Sequence, residues 1–169
     1  SRLDVLINYA VAFFLRRQES VYGLEMTFAL NHLSPFLLSH LLLDTLRASA
    51  PARIVNVTSG SESSAKPNWD DLQMSRRYRA FQAYACSKRF NLYFTYELAT
   101  RLEGTGVTVN ALHPGMVNTG IWTRNPNKFP AILAKPFLGL ARTPEQGAET
   151  VVYLATSPEV EGVTGKYFI

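Results

Sequence analysis

Short apolar runs alternate with longer segments of helical pattern along this chain. The apolar runs predict buried β-strands at residues 3–8, 53–58, 107–112 and 165–169. The longer segments predict helices at residues 20–49, 82–102 and 144–156. The last helix has the clearest start, because Thr143 is a good capping residue and Pro144 suits the first helical position. The pattern contains neither repeats nor a linker, so we expect one domain over residues 1–169.

Two chemically useful side chains share a face of the predicted helix at residues 82–102. Tyr84 and Lys88 are four residues apart, which places them one helical turn from each other. A nearby ammonium favours the phenolate, so we expect Lys88 to lower the pKa of Tyr84. Such a phenol can act as a general acid for a carbonyl oxygen or as a base for an alcohol. Taken alone, the pair would more often be an ordinary surface contact, and other segments must support the catalytic interpretation.

Composition and charge exclude several classes of protein. Hydrophobic residues make up 47% and charged residues 18% of the 169 positions, which argues for a globular protein and against disorder. The net charge of +4 is spread along the chain, and the small cluster Arg76-Arg77-Tyr78-Arg79 fits a solvated face better than a nucleic-acid interface. Cys86 is the single cysteine, so an internal disulfide is excluded and a reducing, cytoplasmic location is expected. No apolar run reaches the roughly 20 residues of a spanning helix, although an upstream anchor would not be visible in this sequence.

Several segments around the Tyr–Lys pair occur in a recognisable order. They are Asn8-Tyr9-Ala10, Leu30-Asn31-His32-Leu33, Val57-Thr58-Ser59, Tyr84-Ala85-Cys86-Ser87-Lys88 and the run from Asn110 through His113-Pro114-Gly115 to Thr119. As an ordered set they resemble the C-terminal part of the short-chain dehydrogenase/reductase family. The long segment between Ser59 and Tyr84 and the ending Gly165-Lys166-Tyr167-Phe168 resemble its retinol-dehydrogenase-like branch. The resemblance covers nearly all of the chain.

The resemblance implies an α/β fold with a partial doubly wound, Rossmann-like parallel sheet. The four predicted strands would correspond roughly to strands 4–7 of the family, with helices on the flanks. The glycine-rich phosphate-binding turn of the family belongs to its first strand–helix unit, and these 169 residues contain no such turn. Gly104 and Gly106 do not supply it, because they precede a strand instead of following one. We therefore expect a truncated record or a fragment, which by itself would be inactive.

The resemblance also assigns catalytic roles to four residues. Ser59 would orient the substrate oxygen, Tyr84 would transfer the proton, and Lys88 would lower the pKa of Tyr84 and hold the cofactor ribose. The backbone carbonyl of Asn31 would hold a water of a proton relay, and Pro35 supports this role because a proline four residues later offers no N–H to that carbonyl. Ser59 is chosen for its distance from the strand end, since three further serines follow closely: Ser61, Ser63 and Ser64.

The implied cofactor is NAD or NADP, and the sequence does not decide between them. Its predicted contacts are Asn8, Ala10, Tyr84, Lys88, Pro114, Gly115, Val117 and Thr119. The turn that reads Asn-Asn-Ala-Gly in the family reads Asn8-Tyr9-Ala10-Val11 here, so contact at this turn is in question. No metal is expected. The apolar, proline-broken segment at residues 121–142 matches the position of the family's substrate-covering loop, which suggests a small apolar alcohol or carbonyl substrate, although ordinary packing explains its composition almost as well.

Three functions are compatible with these patterns. The first is an NAD(P)-dependent oxidoreductase that interconverts an alcohol and a carbonyl. The second is a non-catalytic module that self-associates, for example as a homodimer through the helices at about 20–49 and 82–102. The third is a sugar epimerase, which would share the Tyr–Lys spacing but fits the run from Leu112 to Thr119 less well. Retinoids, steroids and smaller aldehydes all remain open as substrates.

Overall fold

The strands form one parallel sheet in the computed structural model, which describes residues 2–117 and 141–169. The strands are β1 (Val5–Asn8), β2 (Ala52–Val57), β3 (Val107–Leu112) and β4 (Tyr167–Phe168), and their spatial order equals their chain order. All three neighbouring pairs are parallel, with Asn8 opposite Asn56 and Val57 opposite Leu112. The predicted parallel α/β architecture is therefore confirmed.

Helices connect the strands on both sides of the sheet. They are α1 (Met26–Phe28), α2 (Ser34–Leu41), α3 (Leu43–Ala48), α4 (Ala80–Arg101) and α5 (Pro144–Thr156). A π-helical turn, Ala29–Leu33, separates α1 from α2, and two 3₁₀ turns lie at Gly60–Ser64 and Pro158–Val160. The predicted start of α5 is confirmed, because Thr143 and Gln146 form a reciprocal capping box ahead of Pro144.

The helix predicted from residue 20 begins later than expected. The Glu25 carboxylate accepts hydrogen bonds from the backbone N–H groups of Thr27 and Phe28, so the first helical residue is Met26. The preceding residues form a turn in which Gly23 has a φ of 72°. Val21 and Tyr22 in that turn are therefore exposed instead of contributing to a buried helical face.

Two apolar clusters cover opposite faces of the sheet. One packs α3 and α4 against it and contains Leu46, Ile54, Leu98, Leu102 and Val109. The other packs α5 against the opposite face and contains Val55, Val57, Leu112, Val151 and Leu154. Consecutive residues of β2 point to opposite faces, which is why both of its faces are apolar.

Among the described residues, no helix is long and apolar enough to span a membrane. The same residues contain no group of three or more His, Cys, Asp or Glu side chains that could hold a metal ion.

Candidate active site

A cleft opens where β2 and β3 end, at the edge of the sheet at which open α/β folds bind ligands. Its volume is about 360 Å³. Its lining combines the ends of the strands with the first turns of α4 and the segment after β1: Tyr9, Val11, Val57, Thr58, Ser59, Gly60, Ser61, Phe81, Tyr84, Lys88, His113, Pro114, Gly115, Met116 and Val117. The fold thus brings the predicted Ser, Tyr and Lys residues to one cleft.

Tyr84 lies in the first turns of α4 and lines the cleft. Ser59 lines the same cleft, and its side chain interacts with the Tyr84 phenol. Burial raises the pKa of Tyr84, and the interaction with Ser59 opposes that rise only in part. The pKa of Tyr84 thus lies above its ordinary value and not below it as expected, and Lys88 is not among the causes of the shift. The Lys88 ammonium lies 5.9 Å from the centre of the Tyr84 ring and donates to a backbone carbonyl.

Lys88 is almost completely enclosed, with only 2% of its surface exposed. Its Nζ donates a hydrogen bond to the carbonyl of Val57 at 3.0 Å. Burial lowers the pKa of Lys88 to about 8, because the charged form loses its hydration. Lysines are rarely buried to this extent. The Lys88 ammonium has two further N–H donors besides the one that bonds to the Val57 carbonyl.

Ser59 lies two residues after the end of β2 and caps the 3₁₀ turn. Its hydroxyl accepts hydrogen bonds from the backbone N–H and the hydroxyl of Ser61. The turn is fixed to α4, because Arg89 pairs with the Glu62 carboxylate at 2.6 Å and also donates to the Glu62 carbonyl. The hydroxyls of the next two serines donate to backbone carbonyls of the turn itself. Of the four neighbouring serines, Ser59 is thus the one placed against Tyr84.

Asn31 lies in the π-helical turn and is buried behind the cleft. Its backbone carbonyl accepts a hydrogen bond from Nδ2 of Asn91 at 2.8 Å. Its side chain exchanges two hydrogen bonds with the backbone of Ala12 and donates to the Ser87 hydroxyl at 3.2 Å. Pro35 occupies the first turn of α2, directly after the π-helical turn. The predicted relay carbonyl therefore has a side-chain partner, and it retains a second lone pair for a water.

The turn after β1 contributes to the cleft through residues other than those predicted. Tyr9 and Val11 line the cleft, whereas Asn8 and Ala10 are not among its lining residues. The Asn8 amide donates to Ser39 and Asn56, so it links β1 to α2 and β2. Cofactor contact at Asn8 and Ala10 stays a prediction.

The segment after β3 lines the opposite wall of the cleft. Pro114, Gly115 and Val117 all contribute to it. Gly115 adopts a φ of 78°, a conformation that favours glycine, and its N–H donates to Nδ1 of His113 at 3.1 Å. Thr119, the remaining predicted cofactor contact, lies outside the described residues, as does nearly all of the segment at 121–142.

Comparison with known proteins decides the family. A family model described as short chain dehydrogenase matches residues 1–128. The chain belongs to the short-chain dehydrogenase family. Human retinol dehydrogenase 14 is 48% identical over 172 residues, and human polyprenol dehydrogenase is 44% identical over 174 residues. The alignments cover 99% and 98% of this chain but only 50% and 52% of those relatives, so the chain spans about half of their length.

Solved structures of short-chain dehydrogenases have the same fold. A short-chain dehydrogenase/reductase of unknown function from Caenorhabditis elegans, crystallised with cofactor, superposes with a TM-score of 0.73 at 23% identity. It covers 99% of this chain and 63% of its own. A structure from Beutenbergia cavernae with bound NADP at low occupancy superposes with a TM-score of 0.68 at 28% identity, covering 99% of this chain and 64% of its own.

Two polar residues of this short-chain dehydrogenase site were not predicted from the sequence. Ser87 donates to the backbone carbonyl of Tyr84, and Asn91 holds the carbonyl of Asn31 while its Oδ1 meets Nδ1 of His32 at 2.9 Å. A signal existed for Asn91, since it follows Tyr84 by seven residues and so shares its helical face. A polar side chain at that position of a buried face needs a partner, and Asn31 supplies it.

We predict that residue 147 in α5 must lack a side chain, because Val117 of the cleft wall packs directly against Gly147. A Cβ built on Gly147 would lie 2.6 Å from Cγ2 of Val117, closer than non-bonded carbons approach. Alanine normally stabilises a helix interior relative to glycine by about 1 kcal/mol, but here the clash reverses that gain. We expect Gly147→Ala to lower the melting temperature, whereas the matched change Ala148→Gly loses helix propensity alone. A melting temperature of Gly147→Ala equal to or above the wild-type value would contradict this packing.

Proposed function

We propose that this chain carries the catalytic centre of an NAD(P)-dependent oxidoreductase that interconverts an alcohol and a carbonyl. One observation carries the proposal: Tyr84 and Ser59 line one cleft at the strand ends and their side chains interact, with the enclosed Lys88 one helical turn away. This arrangement supplies a proton donor, an orienting hydroxyl and a cation within one site.

In the direction of carbonyl reduction, the proton of Tyr84 is the central element. Burial raises the pKa of Tyr84, so its hydroxyl is protonated at neutral pH and ready to donate. Ser59 would orient the substrate oxygen toward that proton. The bound nicotinamide would supply the hydride. The raised pKa supports reduction as the favoured direction, because alcohol oxidation needs the phenolate as a base.

The buried residues Lys88 and Asn31 would support the proton transfer by Tyr84. With a pKa of about 8, Lys88 is mostly protonated at neutral pH, and two of its N–H donors are available beyond the Val57 carbonyl. We propose that these donors hold the ribose of the cofactor and a relay water. The water's second partner would be the carbonyl of Asn31, which Asn91 holds in position.

The cleft fits the nicotinamide end of NAD or NADP. Tyr84 and Lys88 offer hydrogen-bonding groups on one wall, and Pro114, Gly115 and Val117 form the opposite wall. We propose Thr119, Asn8 and Ala10 as further contacts on the basis of the family pattern. The pyrophosphate requires a group of backbone N–H donors at a glycine-rich turn, and the 169 residues contain no such turn between a strand and a helix.

We propose a small apolar substrate. The lining of the cleft includes Phe81 and Met116, both of which are exposed at its mouth. The names of two relatives, retinol dehydrogenase and polyprenol dehydrogenase, refer to apolar alcohols. An apolar mouth suits the removal of such a molecule from water.

The test uses this chain both alone and in a composite enzyme. The composite joins it to the half of human retinol dehydrogenase 14 that it does not span. We expect the composite to reduce an apolar aldehyde such as retinal with NADH or NADPH. We expect the 169 residues alone to show neither turnover nor tight dinucleotide binding in calorimetric titration. A composite that folds and binds cofactor but shows no aldehyde reduction would contradict the proposed function. Micromolar binding by the chain alone would contradict the need for the glycine-rich half.

We also propose that α2 and α4 form a homodimer surface. Leu37 and Leu41 lie one turn apart on α2 and are exposed, and Tyr93 and Tyr96 are exposed on α4. We expect light scattering to give twice the 18.9 kDa mass of one chain, and Leu37→Glu/Leu41→Glu to return it to a single chain. Val21→Glu, at a position 94% exposed outside these helices, is the matched control. A wild-type mass of one chain would contradict the dimer.

A further inference from the structure

A second cavity lies beside the start of α4 and is separate from the active-site cleft. Its volume is also about 360 Å³. It is formed mainly by the segment between the 3₁₀ turn and α4, and its lining is Lys66, Asn68, Asp71, Met74, Arg76, Arg77, Arg79 and Gln82. Among the described residues, the two cavities share no lining residue. The proposed oxidoreductase chemistry therefore makes no use of this cavity.

The lining of this cavity is strongly positive. It contains four cationic side chains, those of Lys66, Arg76, Arg77 and Arg79, and one carboxylate, that of Asp71. Within the described part of the chain, none of the four cations forms an ion pair with a carboxylate, whereas five other arginines do. All four cations are exposed, and Asp71 partly offsets the charge of Arg76. The remaining positive charges along one cavity repel one another, and a bound anion would relieve that repulsion.

The single carboxylate is committed to the loop itself. Asp71 accepts hydrogen bonds from the backbone N–H and the hydroxyl of Ser75, both at 2.8 Å, and from the N–H of Arg76 at 3.1 Å. These bonds lower the pKa of Asp71, so it remains ionised at neutral pH. The formal charge of the lining is then four positive minus one negative, or +3. Asp71 stabilises the loop that presents the arginines, and most of the positive charge is left for a ligand.

The backbone around the cavity is held in place at both ends. The Gln82 side chain accepts from the N–H of Lys66 at 2.9 Å and donates to the carbonyl of Ser64 at 3.1 Å. Met74 adopts a left-handed conformation with a φ of 48°, and its N–H donates to the carbonyl of Asp71. A fixed backbone lowers the entropic cost of gathering cationic side chains around one ligand.

We propose that this cavity binds the phosphate group of a small molecule or of a lipid headgroup. Arginine is suited to this chemistry, because its planar guanidinium donates two parallel hydrogen bonds to phosphate oxygens. The volume lies at the lower end of the roughly 300–1,000 Å³ of small-molecule pockets. A phosphate monoester or a diphosphate of modest size fits this volume better than a complete dinucleotide.

The experiment compares two double variants with the same loss of charge. Arg76→Gln/Arg77→Gln removes two cations from the cavity, and Arg2→Gln/Arg101→Gln removes two exposed cations far from it in the chain. Inorganic pyrophosphate is titrated into each protein by calorimetry at constant ionic strength. We expect saturable binding that the cavity variant weakens about ten-fold or more and the control less than about two-fold. The variant pair also separates binding in this cavity from binding elsewhere on the protein.

A second arm identifies the source of the phosphate. Vesicles of phosphatidylcholine with and without phosphatidic acid are sedimented with each protein. Binding to phosphatidic acid vesicles that is lost only in Arg76→Gln/Arg77→Gln, in the absence of pyrophosphate binding, would assign the site to a lipid headgroup. The proposal is overturned if neither probe binds, or if the two double variants weaken binding equally. Thermal unfolding of both variants verifies that the exposed arginine changes leave the fold intact.

Discussion

Tyr84→Phe is expected to reduce turnover of the composite enzyme by about 10²–10⁴-fold, the usual contribution of a positioned general acid. The substitution deletes the transferable proton and keeps the ring. The ring packs against Phe13 at 5.6 Å between ring centres, so the local packing should persist. Cofactor affinity is expected to stay nearly unchanged, because only one hydroxyl is removed and the contacts proposed for Lys88 and for the wall of Pro114, Gly115 and Val117 remain. The measurements are steady-state reduction of retinal and titration of the cofactor.

Tyr22→Phe is the matched control for this variant. It makes the same chemical change in the exposed turn that precedes α1. Its turnover is expected to equal that of the wild-type composite. Appreciable turnover of Tyr84→Phe, within about ten-fold of wild type, would show that another group supplies the proton.

The second large effect concerns the stability cost of Lys88. A pKa of about 8 in place of 10.5 means that the folded protein favours the neutral amine by about 3 kcal/mol. Between pH 8 and 10.5 the unfolded chain retains a proton that the folded chain has released. The contribution of Lys88 to the free energy of unfolding therefore rises with pH through this window, and below pH 8 the full penalty is present.

Lys88→Met isolates this contribution, because it keeps the length of the side chain and removes the titration. We expect the stability of wild type relative to Lys88→Met to increase by about 3 kcal/mol from pH 8 to 10.5. Loss of the hydrogen bond to Val57 shifts the difference at every pH equally, so the slope is the informative quantity. Urea unfolding at a series of pH values gives that slope, and the exposed Lys66→Met is the matched control. Parallel curves for wild type and Lys88→Met would show that Lys88 is not held in a desolvated site.

Short sequence patterns were sufficient to predict most of the strands and the start of the last helix. The strands β2 and β3 are short, mainly apolar segments that are largely buried, and the start of α5 follows from the chemistry of Thr143 and Pro144. For these elements the determining interaction lies within a few residues of the element that it shapes. The family resemblance, and not a local pattern, predicted that Ser59 and Tyr84 share one site, and both line the same cleft.

The features that the sequence analysis did not predict depend on one local helix cap that the apolar pattern does not show, and on burial and contacts between distant segments. Met26 begins its helix because the Glu25 carboxylate turns back onto the first N–H groups, whereas the apolar pattern extends to residue 20. The pKa of Tyr84 depends on its burial, which the four-residue spacing to Lys88 does not reveal. Asn91 and Asn31 meet across 60 positions of sequence.

The origin of the hydrogen atom in the product tests the central claim most directly. The composite enzyme is given retinal and NADH or NADPH that carries deuterium at the transferred position of the nicotinamide. The account predicts that the retinol formed contains one deuterium at its alcohol carbon, and that Tyr84→Phe forms this product at least about a hundred-fold more slowly. Retinol that forms without deuterium, or labelled retinol that forms at the wild-type rate in Tyr84→Phe, would contradict hydride transfer coupled to proton donation by Tyr84.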